Sequence, residues 1–266
     1  MPFQRESPLN FLTLAWFAVL IGLTLIVAWL RSPHVIGRIG ERRTTRLFSS
    51  VLAGTPHVLF RDVTLPIDDG TTQIDLLVLS NRGIFVVEIK TMKGKISGGP
   101  QKKRWHAQIG RRSYRFVNPV HQNHGHLKAV QKLLGVERGV LVPLVIMQGR
   151  AKMTKKVRAL VALPDDIQKI VSAASDDCIS QSEIAGYAKI IKNARLPPGR
   201  RTDKLHRKNL RKRIRSRIGP QPCPHCGGPM EKRIARKGDR QGESFWGCRA
   251  FPRCRGNLPL ESESVD

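Results

Sequence analysis

Residues 73 to 90 constrain this chain more than any other stretch. Two apolar, β-branched runs, Ile74 to Leu79 and Ile84 to Ile89, flank Ser80-Asn81-Arg82-Gly83. Asn and Gly tolerate positive φ, so the pattern predicts a β-hairpin. Three charges interrupt it. Asp75 stands near the start of the first strand, and Glu88 and Lys90 stand two apart at the end of the second, on one face by the period-2 geometry of a strand. In an antiparallel hairpin those two ends meet. Burying the three groups together is costly unless they pair or hold a cation. Two close carboxylates suit Mg²⁺ or Mn²⁺, and a neighbouring lysine can orient a water or stabilise a pentavalent phosphate, which is the chemistry of phosphodiester hydrolysis. A strand-end salt bridge of Lys90 with Glu88 or Asp75 explains the same spacing equally well.

The stretch resembles the Asp…Glu-x-Lys core of the PD-(D/E)xK nucleases, and more specifically the nuclease-related domain (NERD). The residues that carry the likeness are Gly40-Glu41, Gln73-Ile74-Asp75, Gly83 through Lys90, Gly94 and Trp105, over about residues 36 to 150. Ile74 stands where the superfamily often has proline. The resemblance implies a restriction-endonuclease-like α/β fold, a mixed sheet flanked by helices. It also implies a catalytic set of Glu41, Asp75, Glu88, Lys90 and Gln122, with Glu41, Asp75 and Glu88 as ligands of Mg²⁺ or Mn²⁺. Gln122 enters through Asn118-Pro119 followed by a glutamine, a recurring feature of the family.

Within 266 residues, 47 Lys and Arg face 20 Asp and Glu, a formal charge of +27. The expected partner is a polyanion: nucleic acid, anionic lipid headgroups, or both. Residues 11 to 30 carry no charge and are long enough, as a helix, to cross a hydrocarbon core of about 30 Å. Arg31, Arg38, Arg42, Arg43 and Arg46 follow the run and only Arg5 precedes it. The positive-inside rule then predicts a single-pass protein of a bacterial inner (cytoplasmic) membrane, with its C-terminal body in the cytoplasm. A cleaved signal peptide is the alternative; the run is long for one, and no Ala-x-Ala site follows.

Elsewhere the pattern predicts a helix over Glu41 to Leu52 and a strand over Val58 to Leu65. It predicts a second hairpin, Trp105 to Ile109 with Ser113 to Val117, a helix from Asn118-Pro119 to about Leu134, and strands over Gly139 to Met147 and Val157 to Leu163. Glu41, in the first turn of its helix, has a dipole explanation as well as a catalytic one. The second hairpin interleaves Arg111 and Arg112 with Trp105 and other aromatics, which suits a phosphate backbone with bases stacked on rings or, equally, a solvated basic face over an aromatic core. His121, His124 and His126 do not make one clean ligand face. Residues 164 to 194, with Asp165-Asp166 and Asp176-Asp177, read as closing helices.

From Arg195 to Arg217 a basic connector carries only Asp203 against eleven Arg and Lys, either a helix or an arm that gains order on a polyanion. Cys223-Pro-His-Cys226 and Cys248-x5-Cys254 can then close a tetrahedral structural Zn²⁺ site in a reducing compartment. A segment of about forty residues has too little core to fold alone, so the metal should supply much of its folding energy. The module resembles the four-cysteine zinc ribbon of bacterial type I topoisomerases, which implies binding of single-stranded DNA. Lys232, Arg233, Arg249 and Arg253 would meet phosphates, and Phe245, Trp246 or Phe251 would stack on bases. The expected organisation is a tail (1–10), a transmembrane helix (11–30), a nuclease-like domain (35–194), a connector (195–219) and a zinc ribbon (220–260). A non-catalytic nucleic-acid tether at the membrane is the competing function.

Overall fold

The computed structural model describes residues 8–174, 178–216, 222–237 and 240–260. The first seven tail residues, Asp176-Asp177, and Arg217 with the last two connector residues lie outside them. The chain divides into two compact units, one of Met1–Leu65 with Gln73–Arg195 and the other of Pro66–Thr72 with Leu196–Asp266.

The first unit begins with helix α1, Pro8–Leu30, whose Trp16, Phe17, Leu20, Leu23 and Trp29 are exposed. Among the described residues no single helix is long and apolar enough to cross a membrane; Ala15–Leu30 and Val35–Val51, bent by 51°, meet that test only as a pair. Helix α2, Pro33–Val51, opens on a Ser32 cap with proline at its start. It therefore begins well before the predicted Glu41. Glu41 sits about two turns inside, which removes the dipole explanation.

Strands β1 (His57–Ile67), β2 (Gly70–Ser80), β3 (Gly83–Ser97), β4 (Arg104–Ile109), β5 (Arg112–Val117) and β6 (Leu141–Met153) form one sheet. The central hairpin is present: Leu76 pairs with Val87 and Ser80 with Gly83, whose φ of 127° is the positive value the turn requires. Alternation along it builds two cores. Leu77, Leu79, Ile84 and Val86 face helices α3 (Pro119–Leu134) and α6 (Gln181–Ala194), while Leu76, Val78, Phe85 and Val87 face α2 and α5 (Ile167–Ala173). The sheet is mixed because β6 runs parallel to β3 from Leu141 opposite Ile84 to Met153 opposite Ile96.

That long pairing occupies one whole edge of β3. Its other edge is shared, with β2 pairing up to Val87 and β4 only from Lys95. Between them a notch opens along residues 88 to 94, where the hairpin's charges stand. The predicted strand Val157 to Leu163 is not formed. Thr154 starts a short helix, α4 (Lys155–Arg158), and only Ala162 bridges to Ile146, because Val157 turns inward to complete the core around Trp105.

Gly40 sets the approach of α2 to the sheet. A Cβ there would stand 2.2 Å from Thr91 Oγ1 and 2.3 Å from Gln148 Nε2, whereas Gly37, one turn earlier, has nothing within 4 Å. In an open helix, Gly→Ala stabilises by up to about 1 kcal/mol. Gly37→Ala should follow that rule and raise the urea midpoint. Gly40→Ala should reverse the sign and cost about 1–3 kcal/mol by overpacking; a midpoint at or above that of the parent would show that the approach is loose.

Candidate active site and cysteine cluster

At the notch the β2 pairing ends, and the Ile89 N–H donates to Asp75 Oδ2 at 2.7 Å. Asp75 thus holds the second strand where a backbone carbonyl otherwise would. Glu88 is fully buried beside it, with Lys90 Nζ 2.5 Å from its Oε1 and His126 Nε2 3.0 Å from its Oε2. A carboxylate offers only lone pairs, so the imidazole N–H is the donor. Helix α3 delivers the histidine. Asn118 caps its start, accepting from the Val120 N–H, and Asn123 bridges the Val86 and Leu144 carbonyls of β3 and β6 at 2.9 and 3.1 Å.

Burial pushes the Asp75 carboxyl well above the ordinary carboxylate range, and the charges of Glu88 and, more weakly, Glu41 push the same way; the Ile89 N–H and the Lys90 ammonium oppose them. Desolvation alone would lower Lys90, but the charge and hydrogen bond of Glu88, then Asp75 and Glu41, raise it. Lys90 is therefore an ammonium at neutral pH. It can orient a water or meet developing negative charge but does not itself take a proton from water.

The predicted set is thus brought together in part. Asp75, Glu88 and Lys90 meet in the notch, and Glu41 is close enough to act on both Asp75 and Lys90. Among the described residues the cysteines are the one group of three or more potential ligands packed tightly enough to hold an ion together. Glu41, Asp75 and Glu88 are not packed as such a group; a hard cation needs only one or two carboxylates, with waters completing its sphere. Gln122 is half-buried one turn before His126 on the same helix side. The three histidines separate: His121 Nε2 lies 2.6 Å from the Pro100 carbonyl, His124 is exposed, and His126 enters the site. Sequence reasoning passed over His126 and Asn123. The signal was their place on the apolar stripe of α3, in register with Leu127, Val130 and Leu134.

Trp105 is a correction. Its ring is fully buried under Gly98, and its indole N–H donates to the Gly99 carbonyl at 3.1 Å, so it is core rather than a stacking platform. Arg111 and Arg112 are exposed at the β4–β5 turn, and the exposed aromatic of that hairpin is Tyr114.

In the second unit, strands β7 (Met230–Ile234), β8 (Ser244–Cys248) and β9 (Asn257–Pro259) form a small antiparallel sheet. The sulfurs of Cys223, Cys226, Cys248 and Cys254 all lie within 4.8 Å of one another, with Cys223–Cys254 at 3.6 Å and Cys226–Cys248 at 3.5 Å. Sulfurs about 2.3 Å from a tetrahedral Zn²⁺ stand about 3.8 Å apart, so the cluster could hold such an ion. Burial raises the Cys223 thiol, but the N–H groups of His225 and Cys226 outweigh it and bring it down to about 7. The Ala250 N–H favours the Cys248 thiolate, yet burial and the other cysteines push it up to about 12. Lys232, Arg249, Phe251 and Arg253 are exposed, whereas Phe245 and Trp246 are half-buried. Arg233 is engaged by Glu231 at 3.0 Å, the Cys248 carbonyl at 3.2 Å and the face of Phe251, which leaves it less free for phosphate than predicted.

Residues 36–164 match the profile of the nuclease-related domain. An uncharacterized protein of Bacillus anthracis is 31% identical over 176 residues, which cover 63% of this chain and 80% of that relative. The chain belongs to the nuclease-related domain family. No solved structure matches it significantly. Within this NERD protein, the matched segment carries all of Glu41, Asp75, Glu88, Lys90 and His126.

The raised Asp75 carboxyl has a consequence for stability. A folded-state pKa above the unfolded value means that the folded chain keeps a proton which the unfolded chain has released. Stability should therefore fall as pH rises from about 4 toward the folded pKa, by about 1.4 kcal/mol per pH unit for one proton. Asp75→Asn should flatten that fall in thermal melts of the metal-free chain. A parent and a variant with parallel pH profiles would mean that Asp75 ionises freely.

Proposed function

We propose that this chain is a membrane-anchored, metal-dependent phosphodiesterase acting on DNA, with a zinc ribbon that binds the substrate, preferentially as single strand. The observation that carries the reading is the Asp75, Glu88 and Lys90 cluster in the notch of β3, inside the segment 36–164 that matches the nuclease-related domain. Family membership supports a nuclease-like fold of the restriction-endonuclease type. Crowded carboxylates that resist ionisation together support a divalent-cation site on Asp75 and Glu88, with Glu41 acting at longer range.

A bound Mg²⁺ or Mn²⁺ would supply charge neutralisation for the scissile phosphate and acidify a ligated water. The protein's own groups do the rest. Lys90, held as an ammonium, orients the attacking water or meets the charge developing on the phosphorane. His126 fixes the Glu88 carboxylate through Oε2, and Gln122 lies one turn away on the same side of α3. The apolar, charge-free run 11–30 and the exposed rings of α1 support a membrane anchor in a bacterial inner membrane, and the arginines after it support a cytoplasmic body.

One observation favours a second reading, a non-catalytic DNA tether. Both oxygens of Glu88 already have partners in Lys90 and His126, as in an ion-paired core. The deciding experiment is cleavage of labelled single- and double-stranded DNA by the full chain in detergent, with Mg²⁺, Mn²⁺ or EDTA. Metal-dependent cutting should fall at least about 10²-fold in Lys90→Ala and Asp75→Ala with DNA binding retained, and about 10–100-fold in His126→Ala through weaker metal binding. Equal cutting by Lys90→Ala would remove the proposed centre, and binding without cutting in every condition would establish the tether.

The ribbon is tested separately. One Zn²⁺ per chain should be found, and its uptake should release protons because Cys248 is protonated at neutral pH. Cys248→Ala should lose the ion and single-strand binding while sparing the melting of the sheet domain. Retention of stoichiometric zinc by that variant would exclude the four-cysteine site.

A further inference from the structure

Residues Arg200–Ser216, expected as a helix or an arm, form one helix, α7. Its inner side is fixed by specific polar contacts within the second unit. Thr202 is buried with its hydroxyl donating to the Pro197 carbonyl at 2.5 Å, His206 Nδ1 lies 2.9 Å from Thr71 Oγ1, and Asn209 Nδ2 donates to Thr71 Oγ1 at 3.3 Å. At about 100° per residue, Thr202, His206 and Asn209 share one narrow stripe of the helix.

Arg200, Arg201, Lys204, Arg207, Lys208 and Arg211 are all exposed. By the same arithmetic they fall within about 120° of one another, on the side opposite that stripe. No salt bridge is found for any of the six among the described residues, and Asp203 lies off their stripe. Six like charges along about 16 Å of helix repel each other. Such an array is stabilised by a partner that brings negative charge at similar density. Duplex nucleic acid carries one charge per about 1.7 Å of its axis, more than enough to face every cation in the row.

Two further features narrow the partner. Leu205 and Leu210 are exposed, but they flank the helix on opposite sides and leave it without the single apolar face that an interfacial membrane helix buries. The basic stripe contains no aromatic ring, so it offers phosphate contacts without the stacking platforms that single strands use. We infer that α7 is a backbone-reading element for duplex nucleic acid, held with its cationic side outward by the contacts to Thr71. The inference rests on the proposed DNA-binding function and adds to it a duplex-binding surface distinct from the ribbon.

The test is binding of the full chain in detergent to a labelled duplex, to one of its strands, and to vesicles rich in anionic lipid, across a salt series without divalent ions. The first variant carries R200Q, R201Q, K204Q, R207Q, K208Q and R211Q; glutamine keeps helix propensity, and circular dichroism checks the fold. The second exchanges Arg and Lys at the same positions and keeps the charge. The glutamine variant should lose about 10²–10³-fold in duplex affinity at low salt, with a log–log salt slope shallower by about four to five, and less than about tenfold on the single strand. The exchanged variant should stay within a few-fold of the parent. An unchanged duplex slope in the glutamine variant overturns the inference, as does an equal loss on both strand forms or a loss confined to vesicles. If the parent binds no DNA of any form, the broader function falls with it; if the parent binds and the variants match it, only the role of α7 falls.

Discussion

The hydrogen bond from the Ile89 N–H to Asp75 holds the candidate site together, and it exists because β3 has more length than its neighbours on one edge can cover. β6 follows β3 for its whole length, but β2 and β4 divide the opposite edge and leave it open from Glu88 to Gly94. An open strand edge inside a packed domain carries backbone donors that need partners. Asp75 supplies one with a side chain. The same substitution of a carboxyl for a carbonyl places an ionisable group where the sheet would be neutral, and Glu88, Lys90 and His126 pack beside it as a mutually compensating group. Fold and site are therefore one solution to the division of that edge.

The compensation is incomplete, and its shortfall is chemically useful. Asp75 is pushed toward its protonated form by burial and by the other carboxylates, while Lys90 is held charged by the same groups. A buried group with more carboxylate than its one lysine balances is the arrangement that the proposed hard cation would neutralise. The cysteine cluster obeys the same logic with softer atoms. Burial and the neighbouring sulfurs push Cys248 up to about 12, and a bound divalent ion would offset that cost by taking the thiolates as ligands.

What was legible in the sequence was local. The hairpin, its positive-φ glycine, the strand-mates Glu88 and Lys90, and the two cysteine pairs all follow from short spacings that backbone geometry reads directly. What was missed depended on contacts distant in sequence. Propensity placed the start of α2 after its glycines, whereas the Ser32 cap and the close fit of Gly40 against Thr91 and Gln148 carry the helix back to Pro33. Trp105 looked like a surface ring because its neighbours are basic, yet the 98–99 turn folds over it and takes its N–H. Val157 looked like a strand residue, but an inward-turned single helical turn fills the same core position.

His126 illustrates the distinction most clearly. The sequence already argued against shared ligation by the three histidines, and on the helix residues 121, 124 and 126 point three ways, toward the Pro100 carbonyl, solvent and Glu88. The residue that matters is the one on the apolar stripe, where an unpaired imidazole would be expensive to bury. Its partner lies 38 residues earlier in the chain, so no local window contains both. Asn123 completes the argument: by satisfying carbonyls of two strands at once, it fixes α3 against β3 and β6 and so sets where His126 meets Glu88. A polar residue on an otherwise apolar helical stripe thus predicts a buried partner across the core, even when the sequence cannot say which one.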